Sequence, residues 1–268
     1  MTIHRSLAAL LGLAMLSACG DSGIQDITAP APGASVKFFN FGLNAPSVNF
    51  FANDTKLTAT SSTSCTPPTP AACTTTGIEA TTGVAYGSAG ASGLYVGVTP
   101  GQYSVSGRIA TPTDNGVAIA TTSTNIESGK WYSYYVSGVY DAATKKADGF
   151  IVEDPIPTTI DPTRGYVRFV NAISNSSALT LFAKSATTGV EYPVGGAVAY
   201  KSAGAFTTLI GDIYDLNVRA AGSTANIITR TGVPFAPGRV YTISARGDIT
   251  ITSTTAANRP VLDNTSNR

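Results

Sequence analysis

The chain repeats part of its own sequence, and this repeat constrains the fold more than any other feature. Three blocks occur twice in the same order. The offset between the two occurrences falls from 131 residues (36 to 167) to 114 (84 to 198) and then to 109 (129 to 238). The sequence therefore predicts two copies of one module, with the extra residues of the first copy in loops. The paired blocks are "VKFFNFGLNAPSVNFFA" (36–52) with "VRFVNAISNSSALTLFA" (167–183), "VAYGSAGA" (84–91) with "VAYKSAGA" (198–205), and "GKWYSYYVSG" (129–138) with "GRVYTISARG" (238–247).

Apolar residues recur at every second position within the blocks, which is the pattern of strands with one buried face. We find no convincing amphipathic helix after the N-terminal segment. Many short strands without helices predict an all-β fold, here two tandem β-sandwich modules of the immunoglobulin-like or transthyretin-like kind. The apolar set shared by the third blocks predicts the core face: Tyr132, Tyr134 and Val136 in the first copy, and Tyr241, Ile243 and Ala245 in the second.

The aligned blocks also predict the domain boundaries. The first module covers residues 35–152 and the second covers 165–252. Between them, "EDPIPTTIDPTR" (153–164) holds three prolines and is typical of a semi-rigid linker. Residues 253–268 are predicted to form a polar C-terminal tail. Arg246-Gly247-Asp248 spells a tripeptide read by some adhesion receptors, but we interpret Gly247-Asp248 as a two-residue hairpin turn leading into "ITITS".

The N-terminus predicts export and lipid anchoring. The apolar run from Leu7 to Leu16 is too short for a membrane-spanning helix, which needs about 20 residues. Residues 1–18 therefore indicate a cleaved signal peptide. Leu16-Ser17-Ala18-Cys19 resembles the bacterial lipobox, which implies acyl chains on Cys19 and a membrane partner held through that lipid. An ordinary signal peptide with a chance cysteine is the alternative.

Residues 19–34 would then be a flexible tether between the lipid and the first module. Gly20, rather than Asp, follows the cysteine. By analogy with enteric sorting rules, this favours a cell-envelope location at the outer membrane over the inner membrane.

Composition excludes several classes of function. The only histidine is His4, so the chain left after signal-peptide cleavage has no imidazole for a Ser-His-Asp or Cys-His site and lacks the commonest zinc ligand. Without Arg5, the Lys+Arg count falls from 17 to 16 and equals the 16 Asp+Glu. Nucleic-acid binding usually needs a basic excess. We therefore predict no enzymatic activity, no metal or other cofactor and no nucleic-acid partner.

The first copy resembles the DUF4397 domain, a family of unknown function found in bacterial envelope and surface proteins. It keeps Asn44-Ala45-Pro46 and Pro100-Gly101-Gln102-Tyr103 but has Asn49 where the family often has Asp. The second copy keeps "VRFVNA" and "GRVYT" but loses the proline of the first motif. The resemblance covers nearly all of residues 35–252. It implies the β fold and an envelope location, and it supplies no catalytic residue.

Two cysteines remain once Cys19 is assigned to lipid. Cys65 and Cys73 flank "TPPTPAA" inside the larger insertion of the first copy. An oxidising envelope location favours a disulfide between them. Free or partner-linked thiols and redox chemistry are the alternatives, although redox pairs normally have two intervening residues rather than seven.

Trp131 and Tyr135 are the candidate ligand-binding residues. They lie on the face of the third block opposite the predicted core, where the second copy has Val240 and Ser244. Rigid aromatic rings on a strand face bind sugars or protein partners with little loss of entropy. Coverage by the insertion or by the second module is the alternative. We therefore predict a non-enzymatic binding or adhesion module for a glycan or an envelope protein. A purely structural envelope component or assembly subunit is the other reading, and the oligomeric state stays open.

Overall fold

Four of the five β-sheets formed by the described residues pack as two sandwiches, one for each sequence copy. A computed structural model of the chain describes residues 33–58, 63–65, 73–75 and 82–267. The compact unit to which they belong runs from Gly33 to Arg268. The predicted signal peptide, Cys19 and nearly all of the predicted tether lie outside the described residues. The fold-class prediction of two tandem β-sandwiches is confirmed.

The described part of the first copy contains a sheet in the order β11-β10-β1, with both β6 and β7 on the far edge of β1. Its second sheet has the order β3-β2-β8-β9, and β4 pairs with β5. A 3-10 turn follows β6 at Gly90–Gly93. The strands are β1 (Ala34–Asn40), β2 (Val48–Ala52), β3 (Thr55–Lys56), β4 (Thr63–Cys65), β5 (Cys73–Thr75), β6 (Ser88–Ala89), β7 (Val96–Val98), β8 (Gly101–Ile109), β9 (Ala118–Ile126), β10 (Trp131–Asp141) and β11 (Lys146–Glu153).

The second copy repeats the two large sheets of the first and has no counterpart of β4 and β5 among its described strands. One sheet has the order β20-β19-β12, with β15 and β16 on the far edge of β12, and the other has the order β14-β13-β17-β18. The strands are β12 (Arg164–Asn171), β13 (Leu179–Ser185), β14 (Glu191–Val198), β15 (Ser202–Ala203), β16 (Thr207–Ile210), β17 (Asp212–Ala220), β18 (Ile228–Phe235), β19 (Val240–Arg246) and β20 (Val261–Ser266).

Strand register shows that the aligned blocks occupy the same place in both sandwiches. Val36 of β1 lies opposite Tyr132 in a parallel pair, and Val167 of β12 lies opposite Tyr241 in the equivalent pair. The repeated octapeptide forms the short edge strands β6 and β15, and each begins after a left-handed residue. That residue is Gly87 in the first copy (φ 78°) and Lys201 in the second (φ 64°). The repeated octapeptide therefore encodes both the left-handed turn and the short strand that follows it.

Each copy closes a core of its own. The first core is built from residues between Ala34 and Ile151, and the second from residues between Val167 and Leu262. Alternation places one face of β10 and of β19 inward, so the core face predicted for the third blocks is confirmed. Aromatic rings pack within both cores: the Phe38 and Phe50 rings of the first core and the Phe235 and Tyr241 rings of the second each have centroids 5.1 Å apart.

A third apolar cluster, which we call the junction cluster, joins the two sandwiches. It lies on the opposite faces of β1, β10 and β12, so the outer faces of two sheets pack against each other. Burying the apolar members of these faces against one another stabilises the contact by roughly 25 cal/mol per Å² of apolar surface. Its buried members are Phe39, Phe41, Tyr135 and Phe150 from the first copy and Val170 and Ala172 from the second.

Two predictions for the C-terminus are wrong. Val261–Ser266 is not part of a polar tail but strand β20, which pairs antiparallel with β19 and buries Leu262 in the second core. The Gly247-Asp248 hairpin into "ITITS" is also absent, because residues 247–260 form a long loop before β20. The strand was missed because "VLDNTS" has only two apolar residues, as expected for an edge strand with one polar face.

We predict that ending the chain after residue 252 lowers the free energy of unfolding by at least about 3 kcal/mol. This truncation removes the β20 ladder and the Leu262 side chain from the core, and loss of one buried leucine alone costs about 2 to 5 kcal/mol. Urea denaturation of the full and truncated chains measures the difference. A truncated chain as stable as the full one would mean that residues 253–268 behave as the polar tail.

Candidate functional site

Tyr135 belongs to the junction cluster and is fully buried. Its ring is stacked between Phe39, 4.7 Å away, and Phe150, 4.9 Å away. Its hydroxyl lies 3.3 Å from the Ser244 Oγ, and burial raises the pKa of the phenol to about 12. The prediction of Tyr135 as an exposed binding residue is therefore wrong, because the second module covers this face of β10.

Beside the junction cluster, an arginine of the second module reaches into the first. Arg168 is fully buried and forms an ion pair with Asp154, which directly follows β11. Its Nη1 donates to the Glu153 carbonyl oxygen at 2.8 Å. The Asp154 carboxylate also accepts hydrogen bonds from Ser133, at 2.7 Å, and from the Tyr95 hydroxyl, at 2.6 Å. Both charges are therefore paired and hydrogen-bonded, which is the condition under which buried charges are tolerated.

A lysine of the first module makes the reverse connection. Lys37 is 1% exposed, and its ammonium donates to the Ser266 carbonyl oxygen and, at 3.2 Å, to the Asn267 Oδ1. The Asn267 amide nitrogen in turn donates to the Thr242 hydroxyl at 2.6 Å. Lys37 of the first module thus binds the end of β20, just as Arg168 of the second module binds the end of β11.

The two connections use equivalent positions of the two copies. Lys37 and Arg168 align in the first block, and each lies over an aromatic ring of its own module, Tyr95 at 4.4 Å and Phe206 at 5.2 Å. Strand register also makes the residue after β11, Asp154, equivalent to Asn267 after β20. The junction therefore has the reciprocal pattern of an isologous interface, formed within one chain.

The reciprocity is incomplete in charge. Two cations face one carboxylate, because the second copy has the neutral Asn267 where the first has Asp154. Burial lowers the pKa of Lys37 from 10.5 to about 8, an effect that Asp154 partly opposes and Arg168 reinforces. Burial, with the neighbouring carboxylate, raises the pKa of the Tyr95 hydroxyl. The Tyr95 hydroxyl therefore stays protonated across the ordinary pH range and donates a hydrogen bond to Asp154.

A cleft opens at the end of the junction, and we call it the Trp131 cleft. Its volume is about 440 Å³, and it is lined by Gly129, Trp131, Ile156, Pro157, Thr158 and Asn267. Trp131 is 38% exposed, and its ring meets the Tyr95 ring edge-on at 4.6 Å. The linker segment and the last described residue of the second module thus form the walls around an aromatic residue of the first module.

The buried cations and their partners were not predicted from the sequence. One signal was present, because a basic residue stands at the same position inside both apolar strands "VKFFN" and "VRFVN". A basic residue at the same position of two otherwise apolar strands indicates a buried charge with an equivalent role in both copies. No comparable signal marked Asp154, which lies in the segment interpreted as a linker.

The cysteines predicted to form a disulfide lie directly opposite each other in the backbone ladder. Strand β4 pairs antiparallel with β5, and Cys65 is the register partner of Cys73. The disulfide itself stays a prediction.

Two further features of the described residues bear on membrane insertion and on metal binding. None of their helices is both long and apolar enough to cross a bilayer. In the same part of the chain, no group of three or more His, Cys, Asp or Glu side chains is arranged to hold a metal ion.

Comparisons with known proteins return little. No protein-family model matches the chain, and no curated protein matches it. The Bacillus anthracis TIE protein is 12% identical over 81% of this chain with a TM-score of 0.24, and a leucine-rich repeat protein from Bacteroides thetaiotaomicron is 10% identical over 82% with a TM-score of 0.21. This chain spans 34% and 26% of those two proteins. Such low scores carry no argument, and the resemblance to DUF4397 stays a prediction.

We predict that Asp154→Ala lowers the free energy of unfolding by about 3 to 5 kcal/mol, because it leaves the buried Arg168 guanidinium without its counter-charge. Chemical denaturation measures the change. Asp54→Ala is the matched control, since Asp54 pairs with Arg108 at the surface with its side chain 98% exposed, and it should leave stability nearly unchanged. Equal effects from the two substitutions would contradict a stabilising role for the junction ion pair.

Proposed function

We propose that the protein is a non-enzymatic lipoprotein of the cell envelope, anchored through Cys19 and carrying a two-module body that binds a glycan or an envelope protein. The lipobox-like "LSAC" after a short apolar run supports the anchor, and Gly20 supports the outer membrane. Several acyl chains give firm membrane attachment, because each buried methylene contributes about 0.8 kcal/mol. The resemblance to the DUF4397 family supports the envelope location.

The observation that carries the binding function is the half-exposed Trp131 in a cleft between modules. Clefts between domains are common ligand sites, and aromatic residues are common anchors of binding surfaces. The edge-on contact with Tyr95 fixes the Trp131 ring, so a ligand would lose little free energy in ordering it. Ile156 and Pro157 add apolar surface, while Thr158 and Asn267 add polar groups to the same cleft.

A structural envelope component without a ligand of its own is the second candidate. The junction favours it, because the apolar outer faces of two sheets are already used to hold one module against the other. In that case Trp131 only covers the end of the junction.

We also propose that Cys65 and Cys73 form a disulfide that closes the inserted loop of the first module. Directly opposed residues of an antiparallel pair have Cα atoms about 4.5 or 5.5 Å apart. Disulfides span about 4.4 to 6.8 Å between Cα atoms. The register of β4 and β5 therefore supports this pairing.

For the anchor, we predict that Cys19→Ala releases the protein from membranes or blocks its processing. Membrane fractionation and intact-mass measurement of the wild-type and variant proteins test this. An unchanged mass together with unchanged membrane pelleting would contradict lipid attachment at Cys19.

For the binding site, we predict that Trp131→Ala abolishes binding of the ligand that the Trp131 cleft holds. A glycan array and a pull-down with purified outer-membrane proteins identify that ligand and measure its loss. The cost in stability should be only about 1 kcal/mol, the size of one aromatic pair contact. Val139→Ala is the matched control, because Val139 is exposed on the same strand but outside the cleft. A loss of stability above about 3 kcal/mol, or unchanged retention, would favour the structural candidate instead.

A further inference from the structure

Three cavities follow one another along the open side of the second sandwich, and we call them together the arginine groove. They measure about 550, 380 and 250 Å³. The first two share Arg259 and Pro260 among their lining residues, and the last two share Arg230 and Asp263. The groove runs between β18 and β20, which are edge strands of different sheets, and ends against the first module at Phe41. It is separate from the Trp131 cleft, whose lining residues it does not share.

Three guanidinium groups line this groove against one carboxylate. Arg246 is paired with Asp263, at 2.5 Å from its Nε and 3.4 Å from an Nη. Arg230 and Arg259 donate only to carbonyl oxygens, those of Leu262 at 2.8 Å and Ala256 at 2.9 Å, and neither forms an ion pair within the described part of the chain. The groove therefore has an excess of two positive charges in a chain whose acidic and basic residues nearly balance.

The three arginines differ in what they do for the fold. The Arg246 guanidinium carbon lies 5.6 Å from the Phe41 ring centroid and 4.9 Å from that of Tyr86, both in the first module, and so helps to join the modules. Arg230 is exposed, and Arg259 lies half-buried in the loop before β20. Because Arg230 and Arg259 keep free guanidinium donors without an acidic partner, their charge is available to a ligand.

The other lining groups indicate what kind of anion fits. At one end the groove presents the hydroxyls of Thr252, Ser253 and Thr254 beside the side chains of Ile249 and Ile251. Hydroxyls and apolar surface together match the hydroxyl edges and C–H faces of sugars, and the guanidinium fork matches a carboxylate, as the Arg246 pair with Asp263 illustrates. Among the described residues that line the groove, the only aromatic ones, Phe39 and Phe41, are buried, so these residues offer no exposed ring on which nucleic-acid bases could stack.

We propose that the arginine groove binds an acidic polysaccharide, a sugar chain carrying carboxylates, with Arg230 and Arg259 as the residues that recognise the carboxylates. Three connected cavities accommodate an extended chain rather than a single small anion. The groove is independent of the Trp131 cleft, so this binding does not require the function proposed above.

The test measures binding of a fluorescent oligogalacturonate to the purified full-length protein by fluorescence anisotropy. The probe should bind, a neutral oligogalactose of the same length should bind at least tenfold more weakly, and added NaCl should weaken the binding because the attraction is ionic. Arg230→Gln and Arg259→Gln should each raise the Kd about tenfold, the effect of losing one charge-assisted hydrogen bond. Arg259→Lys, which keeps the charge but not the planar fork, should lose only part of the affinity.

Two controls make the result specific. Arg239→Gln removes an exposed arginine of the second module that lines none of the three cavities, and it should leave the Kd unchanged. Trp131→Ala should also bind the oligogalacturonate normally, whatever it does to other ligands. Absence of binding, equal losses with Arg239→Gln, or binding of polyphosphate as tight as that of oligogalacturonate would each overturn the proposal of an acidic polysaccharide.

Discussion

Two buried cations cross the junction between the modules in opposite directions, and the placement of everything else depends on this exchange. Arg168 reaches the end of β11 and Lys37 reaches the end of β20, each at the same position of its own copy. The apolar rings of the junction cluster hold the two modules together but fit several relative positions of the modules. The hydrogen-bonded charges make their contacts in only one of these positions. We infer that the charges fix the register of the two sandwiches, which is the best-attested use of buried ionic groups.

The two modules contribute equivalent strand positions to the junction, but the side chains at those positions differ. The first module contributes the large rings of Phe39 and Tyr135 where the second has Val170 and Ser244 at the equivalent positions. Large residues therefore meet small ones across the contact, which lets the two sheets interdigitate at the density of a protein interior. Both candidate ligand sites, the Trp131 cleft and the arginine groove, include residues of both modules. A rigid junction would hold each site in shape before a ligand arrives.

Much of the architecture was predictable because it depends on periodicity within each copy. Strand alternation identified the core faces of β10 and β19, and the three aligned blocks identified two modules of one topology. The errors share one cause, which is contact between segments far apart in the chain. Tyr135 looked like a surface residue because the module that covers it is formed by later residues. The last strand looked like a polar tail because its pairing with β19 supplies the stability that "VLDNTS" lacks by itself.

The sequence by itself determined the repeat and the strand faces, because these follow from the aligned blocks and from local alternation. The sequence also has a basic residue at the equivalent positions 37 and 168, but it does not show what these residues bind. Only the tertiary structure decided that these two cations exchange partners and that Asp154 is a buried counter-charge. Packing of the two outer faces removed water from those charges, and a charge without water needs a partner that only the folded chain can bring to it.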